Sequence, residues 1–444
     1  MSKVCVIGAG ASGIATIKAL ADRGLDYDCF ELSDRVGGVW VLGNTNGRAA
    51  AYSSLHINTS RRKMQFAAFP MGSELPEFPR HDQVAAYFDA FVDRFGLRAS
   101  ITFSTGVVHV EPLDGGSSGF DVTLSTGETR RYRAVIVATG HHWAPRRPTP
   151  SIAGADTFAG EQLHAHDYHH ESQLAGKRVV VLGLGNSAVD IAVDASYHAS
   201  STVLAARRGV HVIPKAVLGR PYDQLPLTNE WTPAWLRLPV ARVVMRTMTG
   251  PMTRYGLPKP DHRFGDAHPT VSGRLLDRLS HGEITPKPMI TAFEGRDVVF
   301  ADGSRVEADL VVYCTGYSIA FPFLDRAIID PGDANRVRLY LNVFHPEVTG
   351  LSFIGLVQPL GAIMPVSERQ AELVAAQLSG AYALPDRAAV QRWIDRYLAR
   401  IGRRFGSSPR HTIEVDFEDY MRLLRVESWR GRRRAGTRTA AAPR

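Results

Sequence analysis

One pattern occurs twice in this chain, and few folds can hold it. Near the N-terminus, VCVIGAGASGIATIKALADRGLDYDCFE carries an apolar run into Gly8-Ala9-Gly10-Ala11-Ser12-Gly13. Helical periodicity follows to Arg23, then a second apolar run that ends at Glu31. A strand that enters a glycine turn and leaves as a helix is the first half of a dinucleotide-binding βαβ unit. Gly8 permits the tight turn, Gly10 lets the backbone approach a pyrophosphate, and Gly13 lets helix and strand pack closely. The free N–H groups and positive dipole end of the helix face the phosphates. Glu31 follows Gly13 by 18 residues, where a carboxylate bonds a ribose hydroxyl.

The second copy is KRVVVLGLGNSAVDIAVDASYHASSTVLAARRG. Its turn is Gly183-Leu184-Gly185-Asn186-Ser187-Ala188, with alanine in the third glycine position, which the fingerprint allows. Where the first copy has an acid, this one has Arg207-Arg208. Two guanidinium groups there suit a 2′-phosphate and point to NADP rather than NAD. The repeat extends further. GFDVTLSTGETRRYRAVIVATG (119–140) matches GRDVVFADGSRVEADLVVYCTG (295–316), with glycines 8 and then 13 residues apart in each. Each reads as a hairpin over a dinucleotide fold, followed by a strand that returns to the sheet. The fold class is therefore α/β, with two Rossmann-like domains, one inserted into the other. Two different dinucleotides in one chain suggest a flavin, FAD, reduced by NADPH.

Composition narrows the setting. The 444 residues are 44% apolar and 22% charged, ordinary for a globular chain of two or three domains. No run approaches the length of a membrane span. The chain enters its first strand pattern at once, without a leader-like segment, which predicts a cytoplasmic protein. Cys5, Cys29 and Cys314 each sit in an apolar run, and no C-x-x-C occurs. Of the net charge of +8, six arginines after Glu427 (Arg430, Arg432, Arg433, Arg434, Arg438 and Arg444) carry +6. The tail from 429 to 444 reads as a disordered, solvated basic segment. The nearly neutral body, without base-stacking aromatics from Arg430 onward, argues against nucleic-acid binding.

Between the two copies lies FAGEQLHAHDYHH, Phe158 to His170, with four histidines. Such a tract raises the question of a metal site. A zinc site needs three or four converging ligands, and no cysteine stands among these residues.

At this point the chain resembles the flavin-containing monooxygenases. Their F-x-G-x-x-x-H-x-x-x-Y/F signature is present as Phe158, Gly160, His164 and Tyr168. GGVW (37–40), LHINTS (55–60), GLGNSAVD (183–190), CTGYSIAFPFL (314–324) and QPLGAIMP (358–365) match as well, so the likeness reaches from residue 4 to about 375. The resemblance makes His164 a structural residue between the FAD and NADP domains, with His166, His169 and His170 as incidental neighbours and no metal. It implies that NADPH reduces FAD and that the reduced flavin takes up O₂ as a C4a-hydroperoxide. The distal oxygen then passes to a small-molecule substrate, a soft nucleophile such as an amine or a sulfide. Asn58 matches the active-site asparagine, since an amide can donate and accept at once. Trp40 and His56 are expected against the flavin, and backbone near Val108 at the adenine. Gly8, Gly10, Gly13, Glu31, Arg35, Gly38, Thr139, Gln358 and Gln370 complete the expected FAD contacts. Gly183, Gly185, Asn186, Ser187, Arg207 and Arg208 are the expected NADP contacts.

PVSERQAELVAAQL reads as a helix with a Ser367–Gln370 capping box, its dipole at the pyrimidine edge of the flavin. The amphipathic stretch 229–250 is expected as a buried helix of an inserted lid. The expected organisation is an FAD domain at 1–168 and 297–428, an NADP domain at 169–296, and the tail beyond. A homodimer is common among such proteins, and because the sequence ends in arginines the hydrophobic C-terminal anchor of mammalian members is not expected here. Two other readings compete. A Baeyer–Villiger monooxygenase acts on ketones, but its signature ends in Trp followed by Pro or Asp, whereas here it ends in Tyr168-His169. A non-oxygenating sensor or transport-associated subunit could share the fold. A disulfide reductase would need the absent C-x-x-C.

Overall fold

The computed structural model describes residues 3–225, 232, 234–405 and 412–441. Four enclosed residues form β1 (Val4–Ile7), the continuous apolar run expected of a parallel strand covered on both faces. α1 (Ala11–Ala21) follows the glycine turn, and β2 (Tyr27–Phe30) returns parallel to β1, with Val4 opposite Tyr27. On its other edge β1 pairs with Ala134–Val137. The whole parallel sheet runs in the order Leu351–Phe353, Ala134–Val137, β1, β2, Ile101–Thr102.

The second unit repeats the plan with β3 (Arg178–Leu182), α2 (Asn186–His198) and β4 (Ser201–Ala205). Its sheet runs Thr285–Lys287, β4, β3, Leu310–Tyr313, Glu161–His164, again all parallel. The internal repeat takes the same form in both units. An antiparallel three-stranded sheet (Val107–Pro112, Phe120–Leu124, Thr129–Tyr132) precedes Ala134–Val137. Its counterpart (Ile290–Glu294, Asp297–Phe300, Arg305–Glu307) precedes Leu310–Tyr313.

This pairing differs from the expected boundaries. Glu161–His164 and Leu310–Tyr313 both belong to the second sheet, so that unit extends from about 161 to 313 rather than from 169 to 296. The reason is in the strand order. β3 lies between β4 and Leu310–Tyr313, and without the returning strand one edge of β3 would bury unpaired backbone groups.

Three helices depart from their sequence-based expectations. α3 (Ala234–Thr249) is not buried. It leaves Trp235 76% and Val243 64% exposed, and is tied down at one end by Arg237, which holds the buried Asp416 at 2.8 Å. α4 (Met364–Leu378) starts three residues before Ser367, with Pro365 in its first turn. Ser367 is then inside the helix, its N–H on the Ile363 carbonyl and its hydroxyl 3.0 Å from that of Ser12, so no capping box forms. α4 packs against α1 on one side and against α5 (Phe417–Ala441) on another. α5 carries helix as far as Ala441 in the segment expected to be a disordered tail, whose last residues, 442–444, lie outside the described residues. Two contacts hold it there: the Gly431 backbone lies against the Tyr382 ring, and Arg434 bonds both the Ala383 carbonyl and Glu427. Glu427 and Arg434 are seven residues apart and so share one helical face.

At Gly13 a Cβ would lie 1.9 Å from the Gly8 carbonyl oxygen, a backbone atom with little room to move. Gly13→Ala is expected to cost ~1–3 kcal/mol and to lower the melting temperature by several degrees. A thermal melt that matches the unsubstituted protein would show that α1 can slide away from the turn freely.

Candidate active site

The C-terminal ends of both parallel sheets face one cleft of about 1070 Å³. Open α/β sheets bind ligands at this end, because each strand there hands its chain to a helix N-terminus. Gly8 makes the first turn at φ +101°, and Gly183 makes the second at φ +138°, in the region that side chains rarely adopt. A Cβ would sit 2.9 Å from the Ala138 carbonyl oxygen at Gly8 and 2.6 Å from that of Cys314 at Gly183. Each turn therefore passes at contact distance under a neighbouring strand, and the helix that follows points its first N–H groups into the cleft.

Of the residues expected on FAD, Gly8, Gly10, Glu31, Gly38, Trp40, His56, Val108, Thr139 and Gln358 line this cleft, as does Asn58. Gly183, Gly185, Asn186, Ser187, Arg207 and Arg208, expected on NADP, line it from the second unit. Three expected contacts lie elsewhere. Gly13 is behind the wall, at the crossing of α1 and the turn. Arg35 is exposed and pairs with its neighbour Asp34 at 3.1 Å, because the chain turns outward after Ser33. Gln370 is fully buried in α4. Its oxygen accepts from the N–H of Gly355, a residue of the cleft wall, at 2.8 Å and its amide donates to the Tyr420 hydroxyl at 2.7 Å, so it braces the wall from behind without facing the cleft itself.

Glu31 is held firmly. One carboxylate oxygen accepts from the Ala9 N–H at 2.6 Å and the other from the Ser33 N–H at 2.8 Å. Burial raises its pKa, while these bonds and the Arg48 charge oppose the rise. Arg48 itself stacks over Trp143, 4.3 Å from the ring centroid. Sequence reasoning missed Arg48, as it did Arg146 and Arg147, which also line the cleft. No spacing rule marks them, but the Arg-Arg-Pro run after His142 was a visible sign. Arg208 reaches Asp261 at 3.8 Å on the rim.

Several buried polar atoms of the cleft have no hydrogen-bond partner among the described residues. They include Asn58 Oδ1 and Thr139 Oγ1. Groups of this kind are costly to bury unless a ligand satisfies them. Desolvation, with the adjacent His142, holds the His141 pKa well below that of a free imidazole, so the ring is neutral.

The histidine tract is a seam between the two units. His164 is buried, its Nδ1 accepting from the His166 N–H at 3.0 Å, with Tyr317 against the ring. His166 and His169, expected as bystanders, instead reach across to the carbonyls of Gly47 (3.1 Å) and Ala51 (3.4 Å). Among the described residues no group of three or more His, Cys, Asp or Glu is arranged to hold a metal ion. No helix among them is long and apolar enough to cross a membrane.

Comparison with known proteins bears on the same residues. The flavin-binding monooxygenase-like family description matches residues 1–427. Flavin-containing monooxygenase 5 of Oryctolagus cuniculus is 36% identical over 436 residues, which cover 94% of this chain and 81% of that protein. Dimethylaniline monooxygenase [N-oxide-forming] 2 of Macaca mulatta is 34% identical over 444 residues, covering 96% and 82%. Among solved structures, S-allyl-L-cysteine S-oxygenase from Allium sativum superposes with a TM-score of 0.72 at 26% identity, covering 96% of this chain and 88% of the other.

A glutamine at 31 presents only one acceptor oxygen to the two N–H groups that Glu31 holds, and turns an NH₂ toward the other. Glu31→Gln is therefore expected to weaken the first nucleotide site by roughly tenfold or more, about one hydrogen bond. Cofactor retained through gel filtration and dialysis measures this, and full retention would remove Glu31 from the site.

Proposed function

The chain belongs to the flavin-binding monooxygenase family, and on that premise we propose that it oxygenates a small, soft nucleophile, an amine nitrogen or a sulfide sulfur. It is an FAD- and NADPH-dependent monooxygenase. When bound, FAD reduced by NADPH supplies the activation of O₂. The cleft fits these groups. Two glycine turns, each too tight for a Cβ, leave backbone free to approach two pyrophosphates, and Asn58 and Thr139, on the cleft wall, carry buried oxygens without a partner among the described residues.

The observation that carries the reading is the position of Asn58. It stands on the cleft wall together with Trp40 and His56 of the first unit and with Gly183 and Asn186 of the second. Its amide can donate to one group and accept from another, and its Oδ1 is without a partner among the described residues. We assign Asn58 to the meeting point of the flavin and nicotinamide sites, where it holds the reacting oxygen's surroundings in order. Trp40 and His56 flank the flavin, and the backbone at Val108 meets the adenine end. Glu31 fixes the turn that receives the FAD pyrophosphate. Arg207 and Arg208, at the end of β4, receive the 2′-phosphate of NADPH. Neutral His141 and the bulk of Trp143 help keep water from the inner cleft, which limits wasteful release of peroxide.

The heteroatom preference draws support from the relatives, whose names record N-oxide formation and S-oxygenation. The signature's Tyr168-His169 ending agrees with it. Substrate profiling with a tertiary amine, a thioether and a cyclic ketone tests this choice. N-oxide or sulfoxide is the expected product, and lactone formation from the ketone alone would overturn it.

Two substitutions test the residue assignments. Asn58→Ala is expected to keep FAD and still consume NADPH, but to release most of the reducing equivalents as hydrogen peroxide. Full coupling of NADPH use to product in that variant would remove Asn58 from the mechanism. Arg207→Ala is expected to raise the KM for NADPH roughly tenfold, about one charge-assisted hydrogen bond, with kcat little changed. An unchanged KM would move the 2′-phosphate contact to Arg208 or to the Arg146–Arg147 pair.

A further inference from the structure

The segment that bears Asn58 belongs to the first unit by sequence, yet much of what holds it comes from the second. At its start, the Tyr52 hydroxyl donates to Asp190 at 2.7 Å and the Ser54 hydroxyl to Asp194 at 2.5 Å. Tyr168, the last residue of the histidine-tract signature, donates to the same Asp194 oxygen at 2.9 Å. Ser53 bonds Glu171 through its hydroxyl (2.6 Å) and the His169 carbonyl through its N–H (2.9 Å). At its end, Lys215 donates to the Ile57 carbonyl at 3.2 Å, and Asp223 accepts the Ser60 N–H at 2.7 Å.

Both aspartates lie on α2, the helix whose first residues, Asn186 and Ser187, wall the nucleotide cleft. Asn186, Asp190 and Asp194 are each four residues apart and share one face of that helix. The carboxylates are maintained at a cost. Burial pushes Asp190 up to about 6, against the pull of the Tyr52 bond and the Lys215 charge, and burial also raises Asp194. A packing role alone would be met by an apolar side chain.

We propose that Asp190 and Asp194 are positioning residues, a two-carboxylate clamp through which the second unit sets the backbone of 52–60 and so the place of Asn58. A dinucleotide whose phosphates seat on the N-terminus of α2 fixes that helix, and the helix fixes Tyr52 and Ser54 through the clamp. NADP(H) then acts on Asn58 through α2 as well as through any direct contact. The functional part of this rests on the role given above to Asn58; the mechanical part does not.

The test is hydrogen–deuterium exchange on the FAD-loaded protein, with and without saturating NADP⁺, in the unsubstituted chain and in Tyr52→Phe/Ser54→Ala. That double variant removes two hydroxyls and no bulk, and Asp190→Asn/Asp194→Asn provides a second form should the first not fold. In the unsubstituted protein NADP⁺ is expected to slow exchange across 52–60 by about tenfold, the scale of one hydrogen bond lost or kept. In the variant the slowing is lost, while the KM for NADPH stays within about twofold and the peroxide share of consumed NADPH rises several-fold. Equal NADP⁺ protection of 52–60 in variant and unsubstituted protein overturns the clamp. Lost protection with an unchanged peroxide share upholds the clamp and overturns the assignment of Asn58.

Discussion

Everything in this molecule depends on two places where the backbone passes too close to a neighbouring strand for any side chain to fit. At Gly8 the chain turns under Ala138, and at Gly183 it turns under Cys314. Each turn ends a buried parallel strand and starts a helix, so the unpaired N–H groups of the helix are delivered to one point of the cleft. Four strands of each unit repeat the same spatial order, and both delivery points open on one cleft. The rest of the fold can be understood as what is needed to keep these turns in register: three-stranded hairpin sheets that close each unit, and α4, which braces α1 from behind.

The polar groups divide between the two ends of this cleft in a way that matches the chemistry. The first unit presents a carboxylate, Glu31, whose bonds to Ala9 and Ser33 lock the turn. The second presents the Arg207–Arg208 pair, and Arg146 and Arg147 add cationic character from the crossing between units. Between them stand the neutral groups Asn58, Thr139 and His141, the first two with oxygens that have no protein partner among the described residues. A monooxygenase needs this arrangement: charge where phosphates are held, and a dry, neutral region with a few directional hydrogen-bond groups where oxygen is transferred.

The two units are joined through side chains more than through a common sheet. The histidine tract lays His166 and His169 against the carbonyls of Gly47 and Ala51, and α2 grips Tyr52 and Ser54. These contacts all fall on the stretch just before Asn58. A signature lying between the two nucleotide motifs thus packs against the Asn58 segment although it contributes few groups to the cleft. At the periphery, the exposed apolar residues of α3 and the helical end of α5 show that composition misled in opposite directions. The apolar residues of α3 read as core, and the arginines of α5 read as solvated coil.

The sequence by itself determined the fold class, the two glycine turns, the acid that follows the first turn and the arginine pair that follows the second, and the repeated hairpin-and-strand plan. These are local properties: a turn that excludes a Cβ, and a period of two or 3.6 in apolar residues, are set by neighbours within a few positions. Tertiary structure alone decided which sheet each returning strand joins. It took Gln370 into the packing of α4 and turned Arg35 out to solvent, and it made helix of an arginine-rich tail. It also brought Asp190 and Asp194 to Tyr52 and Ser54 across about 140 residues of chain. Each of these depends on strand edges and buried polar groups finding partners far away in sequence, and no local pattern records where such a partner will be.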